Sequence, residues 1–251
     1  MILDYDAIKL LNEKRYYLIR DAPYFEYDYI KRGDFWFRRS NVIPVNDLSI
    51  SFVGAAQTFG TYVDEPFPEF VAKDMGVGTL NLGVGGGGPE FFMHRPHLID
   101  AINQTQVCIV QMMAGRSVSF REYKNSPNAS NHFKGPSDHR FEDCLKLLER
   151  LWSAGNPAER EHLAQDIRDS YIQKMSALLN MIKVPKFLLW ISDRHHYEAN
   201  GGDGDSTTFL EWMGRFPYLI DTRTLDALVP QSDGLIYVVY EQGRRIFTAN
   251  R

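Results

Sequence analysis

Short apolar segments recur along this chain at intervals that suit the strands of one sheet. Residues 48–53, 107–113, 186–191 and 235–240 are rich in apolar side chains, and residues 79–82 form a shorter segment of the same kind. Apolar runs of this length, with little polar alternation, are typical of parallel strands that helices cover on both faces. We therefore predict a mostly parallel sheet.

The segments between these strands predict helices. Apolar residues recur at helical spacing over residues 157–182, and Pro66 stands in the first turn of a helix over residues 66–75. Residues 216–221 suggest one more short strand. The remaining predicted helices cover residues 90–102 with a break near Pro96, residues 141–152 and residues 222–229. The order of elements predicts an α/β fold, a three-layer sandwich whose mostly parallel sheet has five or six strands.

The first part of the chain differs from the rest. Residues 4–20 show helical spacing, and residues 22–45 are aromatic and charged without a clear period. We predict an N-terminal helix and aromatic arm over residues 1–47, followed by one α/β domain over residues 48–251. The polar segment 124–140 is long for an internal connection, which suggests a lid or a binding loop.

Composition excludes several classes of function. Of the 251 residues, 44% are apolar and 24% are charged, and the net charge is −4, so there is no basic field for nucleic acid. No run approaches the roughly 18 apolar residues of a membrane span, and no signal peptide is recognisable. These features predict a cytoplasmic protein. Cys108 and Cys144 are predicted to be buried thiols, and no His or Cys spacing suggests a metal site.

Two turns follow predicted strands and carry small residues. Residues 54–61 follow the first strand, and residues 83–89 include four consecutive glycines after the second. Their spacing resembles the first two sequence blocks of the SGNH (GDSL-type) hydrolases, nearest to a bacterial subfamily associated with cell-surface polysaccharide that also lacks the block-one Ser. Gly54, Thr58 and Gly60 match the first block. However, Ala55 and Ala56 stand where the resemblance implies Asp and the nucleophilic Ser.

The resemblance also implies an oxyanion site. Gly86 matches the block-two glycine, although these glycines can equally serve only to form tight turns. Ser117 stands where block three has Asn, and its hydroxyl can donate a hydrogen bond. Arg116 and Arg121 nearby suit an anion, but Ser117 and Arg116 can also simply begin the next helix.

A last motif follows the fourth strand. Asp193 and His196 have the spacing of the Asp-x-x-His block, in which His acts as base and Asp orients it. In the family this block lies near the C-terminus, whereas 55 residues follow it here. His195, His196 and Asp193 can instead bind a metal or lie in a solvated loop.

These residues define the predicted function. The resemblance implies acyl transfer or hydrolysis on a carbohydrate without the standard Ser, with Ser117, Asp193 and His196 as catalytic candidates. The ligand-binding candidates are Gly54, Gln57, Thr58, Gly86, Arg116 and His195. One alternative is sulfotransferase-like group transfer from a phosphosulfate donor, although Gln57 and Gln111 stand where that resemblance expects cations. Another is a non-catalytic domain that binds a carbohydrate or nucleotide. The expected partner is a small molecule or carbohydrate, and no cofactor is identified.

Overall fold

Five parallel strands form the centre of the molecule. The structure is a computed structural model and describes residues 24–41, 44–127, 131–136 and 141–240; the helix predicted over residues 4–20 lies outside them. The strands are β1 (Tyr29–Arg32), β2 (Phe35–Arg38), β3 (Ser49–Gly54), β4 (Gly78–Gly83), β5 (Val107–Gln111), β6 (Lys124–Asn125), β7 (His132–Lys134), β8 (Glu142–Asp143), β9 (Lys186–Ser192) and β10 (Gly234–Val239). The helices are α1 (Ala56–Phe59), α2 (Phe67–Met75), α3 (Pro89–Met93), α4 (Pro96–Asn103), α5 (Cys144–Ala154), α6 (Pro157–Met181), α7 (Phe209–Met213) and α8 (Thr222–Leu228).

The strand order of the central sheet is β10-β9-β5-β3-β4. All neighbouring pairs are parallel. The sheet starts with β3, next to one edge; the chain adds the edge strand β4 on one side and then crosses over to add β5, β9 and β10 on the other. This is the flavodoxin-like doubly wound order, which opens a crevice at the carboxyl ends of β3 and β5, where the direction of winding reverses. The predicted fold class is confirmed, with five strands.

Helices cover both faces of the sheet. Phe52 packs against Phe67 of α2, with ring centroids 5.6 Å apart, while its neighbour Val53 belongs to the core that includes Tyr171 of α6. Successive strand side chains point to opposite faces, so these contacts lie on different sides. The α6 helix begins at Pro157 because Asn156 and Glu159 form a capping box before it.

The aromatic arm is an antiparallel hairpin packed onto the domain. Strands β1 and β2 pair in register, and Phe37 is fully buried in the main core. The Arg38 guanidinium lies over the Tyr27 ring, 4.4 Å from its centroid, and donates to the carbonyls of Gly60, Val63 and Asp64. The arm thus supports the loop that follows α1. The domain boundary between residues 47 and 48 stays a prediction.

Two strands of the polar segment 124–140 form a small sheet with residues 142–143. Strands β6, β7 and β8 form a three-stranded antiparallel sheet, and residues 128–130 and 137–140 lie outside the described residues. The helix predicted from residue 141 begins later, at Cys144, because β8 pairs with β7 and Asp143 then caps the helix through the Leu145 N–H. Within the part of the chain that the structure describes, no helix combines the length and apolar character that a membrane crossing needs.

Candidate functional site

A cavity of about 210 Å³ lies at the carboxyl ends of β3, β4 and β5, where the strand order reverses. It brings together described residues from five segments of the chain. Its lining consists of Ala55, Ala56, Gln57, Gly86, Gly87, Ala114, Arg116, Ser117, Asn131, Phe216 and Tyr218. The predicted ligand-binding residues Gln57, Gly86 and Arg116 and the catalytic candidate Ser117 therefore share one cavity. Ala56, at the position where the resemblance implies the nucleophile, is also part of its wall.

A buried glutamine fixes the turn after β3. The Oε1 atom of Gln111, the last residue of β5, accepts from the Ala55 N–H at 2.9 Å and from the Thr58 hydroxyl at 2.7 Å. Its Nε2 atom donates to Gln57 Oε1 at 3.1 Å. Gln111 is fully buried, so these bonds satisfy a side chain that would otherwise be costly to bury. This places Gln57 in the cavity wall.

Thr58 and Gly54 lie beneath the cavity rather than in its lining. The Thr58 hydroxyl is committed to Gln111, and the Thr58 carbonyl accepts from Asn81 Nδ2 at 2.8 Å. The Gly54 carbonyl accepts from the Val84 N–H at 3.0 Å. Their predicted ligand-binding role stays a prediction, while their visible contribution is to hold α1 against β4.

The glycine turn after β4 forms the second wall. Gly86 has a φ of +71°, in the left-handed region that side chains disfavour, and both Gly86 and Gly87 line the cavity. The Gly87 N–H donates to the Val84 carbonyl at 2.7 Å, which closes the turn. The backbone itself is therefore the cavity surface here.

Arg116 and Ser117 form the third wall, on a short 3-10 helix after β5. The Arg116 guanidinium lies over the Tyr218 ring, 4.9 Å from its centroid, and its Nε is buried without a hydrogen-bond partner among the described residues. The Ser117 hydroxyl is 3.3 Å from Asn131 Oδ1, to which it donates. Arg121, the other predicted anion-binding arginine, pairs instead with Asp166.

The fourth wall is formed by a segment whose structure differs from the sequence prediction. Residues 216–221 were expected to form a strand, but they form an irregular segment that turns Phe216 and Tyr218 towards the cavity. Side chains and the Gly115 N–H, rather than a neighbouring strand, bind carbonyl groups of this segment. Asn200 Nδ2 donates to the Pro217 carbonyl at 3.0 Å, and Arg194 donates to the Ile220 carbonyl at 2.6 Å. A β-ladder is therefore unnecessary to satisfy this backbone.

The predicted catalytic pair lies apart from the cavity. Asp193 Oδ1 is 3.9 Å from an Arg215 guanidinium nitrogen, and the His196 ring packs near Tyr237, at 5.5 Å between centroids. His195 stacks on Tyr197 at 5.0 Å. None of Asp193, His195 and His196 lines the cavity, because the segment that reaches it from this side is Phe216–Tyr218. Their catalytic or ligand-binding role stays a prediction.

Apart from the alanines, the described side chains that line this cavity are hydrogen-bonding, aromatic and cationic groups. The lining residues that the structure describes supply hydroxyl, amide and guanidinium groups, and none of them carries a carboxylate, imidazole or thiol. Both cysteines are free and buried as predicted, and burial raises the pKa of the Cys144 thiol to about 12, so the thiol is neutral near pH 7. Among the described residues, no cluster of three His, Cys, Asp or Glu side chains is arranged to hold a metal ion.

Several residues of the site were missed from the sequence. Gln111 was considered only because it departs from the sulfotransferase pattern. A polar residue at the end of an apolar strand is itself a signal of a buried polar contact. Asn131 and Tyr218 gave no signal, because they reach the cavity from segments whose position depends on the whole fold. Arg194 was an unassigned position within the Asp-x-x-His motif.

The fold and the cavity together define the class of protein: a doubly wound α/β protein with a small polar cavity at the point where the strand order reverses. The chain belongs to the family described as domain of unknown function DUF6473, whose model matches residues 24–249. No curated protein matches the chain.

Among solved structures, the chain is similar to several esterases and lipases at low identity. The SGNH-hydrolase family esterase AlinE4 is 16% identical, with a TM-score of 0.32, over 59% of this chain and 60% of that one. The extracellular lipase from Streptomyces rimosus is 7% identical, with a TM-score of 0.42, over 76% and 80%. BT4096, a gut microbial diltiazem-metabolizing enzyme, is 13% identical, with a TM-score of 0.41, over 78% and 38%. The chain thus spans less than two thirds of the first of these proteins and of the last.

Proposed function

We propose that the cavity binds a small ligand without nucleophilic catalysis, so that the protein acts as a ligand-binding member of its fold class. One observation carries this proposal: the cavity wall has Ala56 where the resemblance implies a nucleophile, and the other lining residues that the structure describes supply polar donors but no base. Acyl transfer by a hydroxyl needs a base within hydrogen-bond reach to accept its proton. Binding needs only the donors that are present.

The volume of the cavity limits the size of the ligand that it can bind. Pockets that enclose a drug-sized ligand have volumes of about 300–1,000 Å³. A cavity of about 210 Å³ therefore accommodates one small group or one end of a longer ligand. A sugar or nucleotide-bearing ligand is consistent with this size, and its carbohydrate nature rests on the resemblance to polysaccharide-associated proteins. A cytoplasmic location stays part of the prediction.

A thermal-shift screen tests binding in the cavity. Coenzyme A, phosphoadenosine phosphosulfate, glucuronate and N-acetylglucosamine cover the predicted ligand classes. At a concentration of about 100 Kd, a ligand adds about 2.7 kcal/mol to the free energy of unfolding. For a chain of this size, that is a rise in Tm of roughly 5–10 °C.

The matched control fills the cavity. Ala56 is half-buried and lines the cavity, so an Ala56→Phe side chain would occupy the ligand's place while the fold keeps its core. We expect at least one compound to raise the Tm of the wild-type protein and to leave that of the variant unchanged. Equal shifts in both proteins, or none in the wild type, would count against the proposal.

Acyl transfer is the second candidate, favoured by the Ser117 hydroxyl in the cavity wall. It requires a base, and the described residues of the lining supply none, because Asp193 and His196 lie outside it. The phosphosulfate alternative has less support, since the buried Gln111 side chain is committed to Ala55, Thr58 and Gln57 rather than to a phosphate.

We expect the wild-type protein to hydrolyse p-nitrophenyl acetate no faster than a catalyst that lacks a nucleophile. Even in a protease stripped of its triad, oxyanion and binding effects leave an acceleration of only about 10³–10⁴ over water. Release of p-nitrophenol measures this, and Ala56→Ser is expected to stay equally inactive for lack of a base. Robust activity that Ser117→Ala abolishes would establish Ser117 as the nucleophile.

A further inference from the structure

Arg116 differs from most of the other buried and half-buried arginines in what its guanidinium contacts. Arg32 resembles it in having a buried Nε without a partner among the described residues, but Arg32 does not line the cavity. Among the described residues, the N–H groups of Arg116 donate no hydrogen bond, no carboxylate lies within ion-pair distance, and Nε is buried. Its visible contact is the face of Tyr218. In contrast, backbone carbonyls or carboxylates accept from the guanidinium groups of Arg38, Arg95, Arg160, Arg168 and Arg194.

An unpartnered guanidinium in a cavity wall is an unusual arrangement. Buried donors in native proteins are nearly always paired, and a charged donor left unpaired is costly. The main chain holds Arg116 in place, since its carbonyl accepts from Cys144 Sγ at 3.3 Å and the preceding Gly115 N–H donates to the Tyr218 carbonyl at 2.9 Å. The side chain is therefore presented at the cavity without an acceptor.

The other polar groups of the wall complement this cation. Gln57 uses its carbonyl oxygen to accept from Gln111, so its amide nitrogen remains as a donor at the cavity. The Ser117 hydroxyl is a second neutral group beside the guanidinium. None of the described residues that line the cavity is acidic, so none of them competes with an incoming anion.

We propose that Arg116 anchors an oxyanion of the ligand, a carboxylate, sulfate or phosphate group, in this cavity. This inference rests on the proposed function, because it names the chemical class of the group that the cavity takes. A guanidinium presents several N–H donors in a planar fork, which matches the oxygens of such groups and holds them more strongly than neutral donors do. The neutral part of the ligand then points out of the cavity.

The test is an NMR titration that observes the arginine Nε–H signals. The probes are sodium acetate, sodium sulfate and sodium phosphate, with sodium chloride at matched ionic strength and acetamide as the neutral counterpart of acetate. Arg116→Lys assigns the Arg116 signal by its disappearance. We expect this signal to shift saturably with at least one oxyanion and with neither chloride nor acetamide.

Variants show whether the guanidinium is the anchor. In the Arg116→Gln variant, oxyanion binding is monitored at the backbone amides of Gln57 and Gly86. We expect it to weaken at least ~tenfold, because a charge-assisted hydrogen bond is lost. Arg116→Lys keeps the charge but lacks the fork, so an intermediate loss is expected. Arg223→Gln is the matched control, because Arg223 is exposed and pairs only with Asp169 among the described residues; it should leave binding unchanged.

The outcomes separate this inference from the proposed function. The oxyanion inference is overturned by an Arg116 signal that no oxyanion shifts saturably, or by oxyanion binding that Arg116→Gln leaves unchanged. A neutral compound that shifts the Gln57 and Gly86 amides equally in wild type and Arg116→Gln would also overturn it, yet the cavity would remain a binding site. If no compound of either kind perturbs these amides, both proposals fail.

Discussion

A Gly83→Ala protein is expected to lose at least ~3 kcal/mol of its free energy of unfolding, or not to fold at all. Gly83 ends β4, and a Cβ at this position would overlap the backbone of Thr58 and Phe59 in α1. Backbone atoms cannot move aside as the end of a flexible side chain can. The helix that carries Gln57 would therefore have to leave β4, which would also open the cavity.

Urea unfolding measures this effect, with Gly78→Ala as the matched control. Gly78 begins the same strand, and a Cβ there would meet its nearest atoms at 3.5 Å, an ordinary contact. The control should change stability by less than ~1 kcal/mol, since an unstrained Gly-to-Ala change acts mainly on the unfolded chain. If the two variants proved equally stable, the close packing of α1 on β4 would be wrong.

Replacing Arg194 with Met is expected to destabilise the protein by about 3 kcal/mol, since hydrogen bonds from charged donors are each worth about 1.5–3 kcal/mol. Arg194 is 1% exposed and donates to the carbonyls of Glu198, Pro217 and Ile220. Burial, reinforced by the nearby Arg215 cation, lowers the pKa of Arg194 to about 10, so the guanidinium stays charged at neutral pH.

We expect the Arg194→Met substitution to change the shape of the cavity as well as to lower overall stability. Two of the carbonyl partners of Arg194, those of Pro217 and Ile220, lie in the irregular segment that carries Phe216 and Tyr218, so Arg194→Met should weaken ligand binding in the cavity too. Arg223→Met is the control, because an exposed ion pair such as that of Arg223 with Asp169 contributes about 0–1 kcal/mol. Thermal unfolding that shows equal loss for both variants would contradict the structural role of Arg194.

The sequence predicted the sheet well because each of its longer strands is rich in apolar residues, although the edge strand β10 leaves Ile236, Tyr237 and Val238 exposed among the described residues. The segments 48–53, 107–113, 186–191 and 235–240 correspond to β3, β5, β9 and β10, with small differences at the ends. Residues 216–221 have the same apolar character but form no strand. Their backbone is satisfied by Arg194 and Asn200, and pairwise contacts of this kind leave no periodic trace in the sequence.

Only part of the site could be predicted from the sequence, because the rest depends on contacts between segments that are distant in the chain. Loops that follow parallel strands converge at one edge of the sheet, so Gln57, Gly86, Arg116 and Ser117 could be expected together. Which loop covers them depends on packing: residues 193–196 had the recognisable motif, but Phe216 and Tyr218 reach the cavity instead. The motif drew attention to Asp193 and His196, whereas the residue between them that is deeply buried is Arg194.

The most direct test of the account follows protein and ligand in one NMR sample. Acetyl-coenzyme A and glucuronate are mixed with labelled protein, and the backbone amides and the ligand signals are recorded together. We predict that at least one compound shifts the amides of Gln57, Gly86 and Ser117 saturably while both compounds remain chemically intact. Shifts confined to His195 and His196, or steady release of acetate that Ser117→Ala abolishes, would contradict a cavity that binds without nucleophilic catalysis.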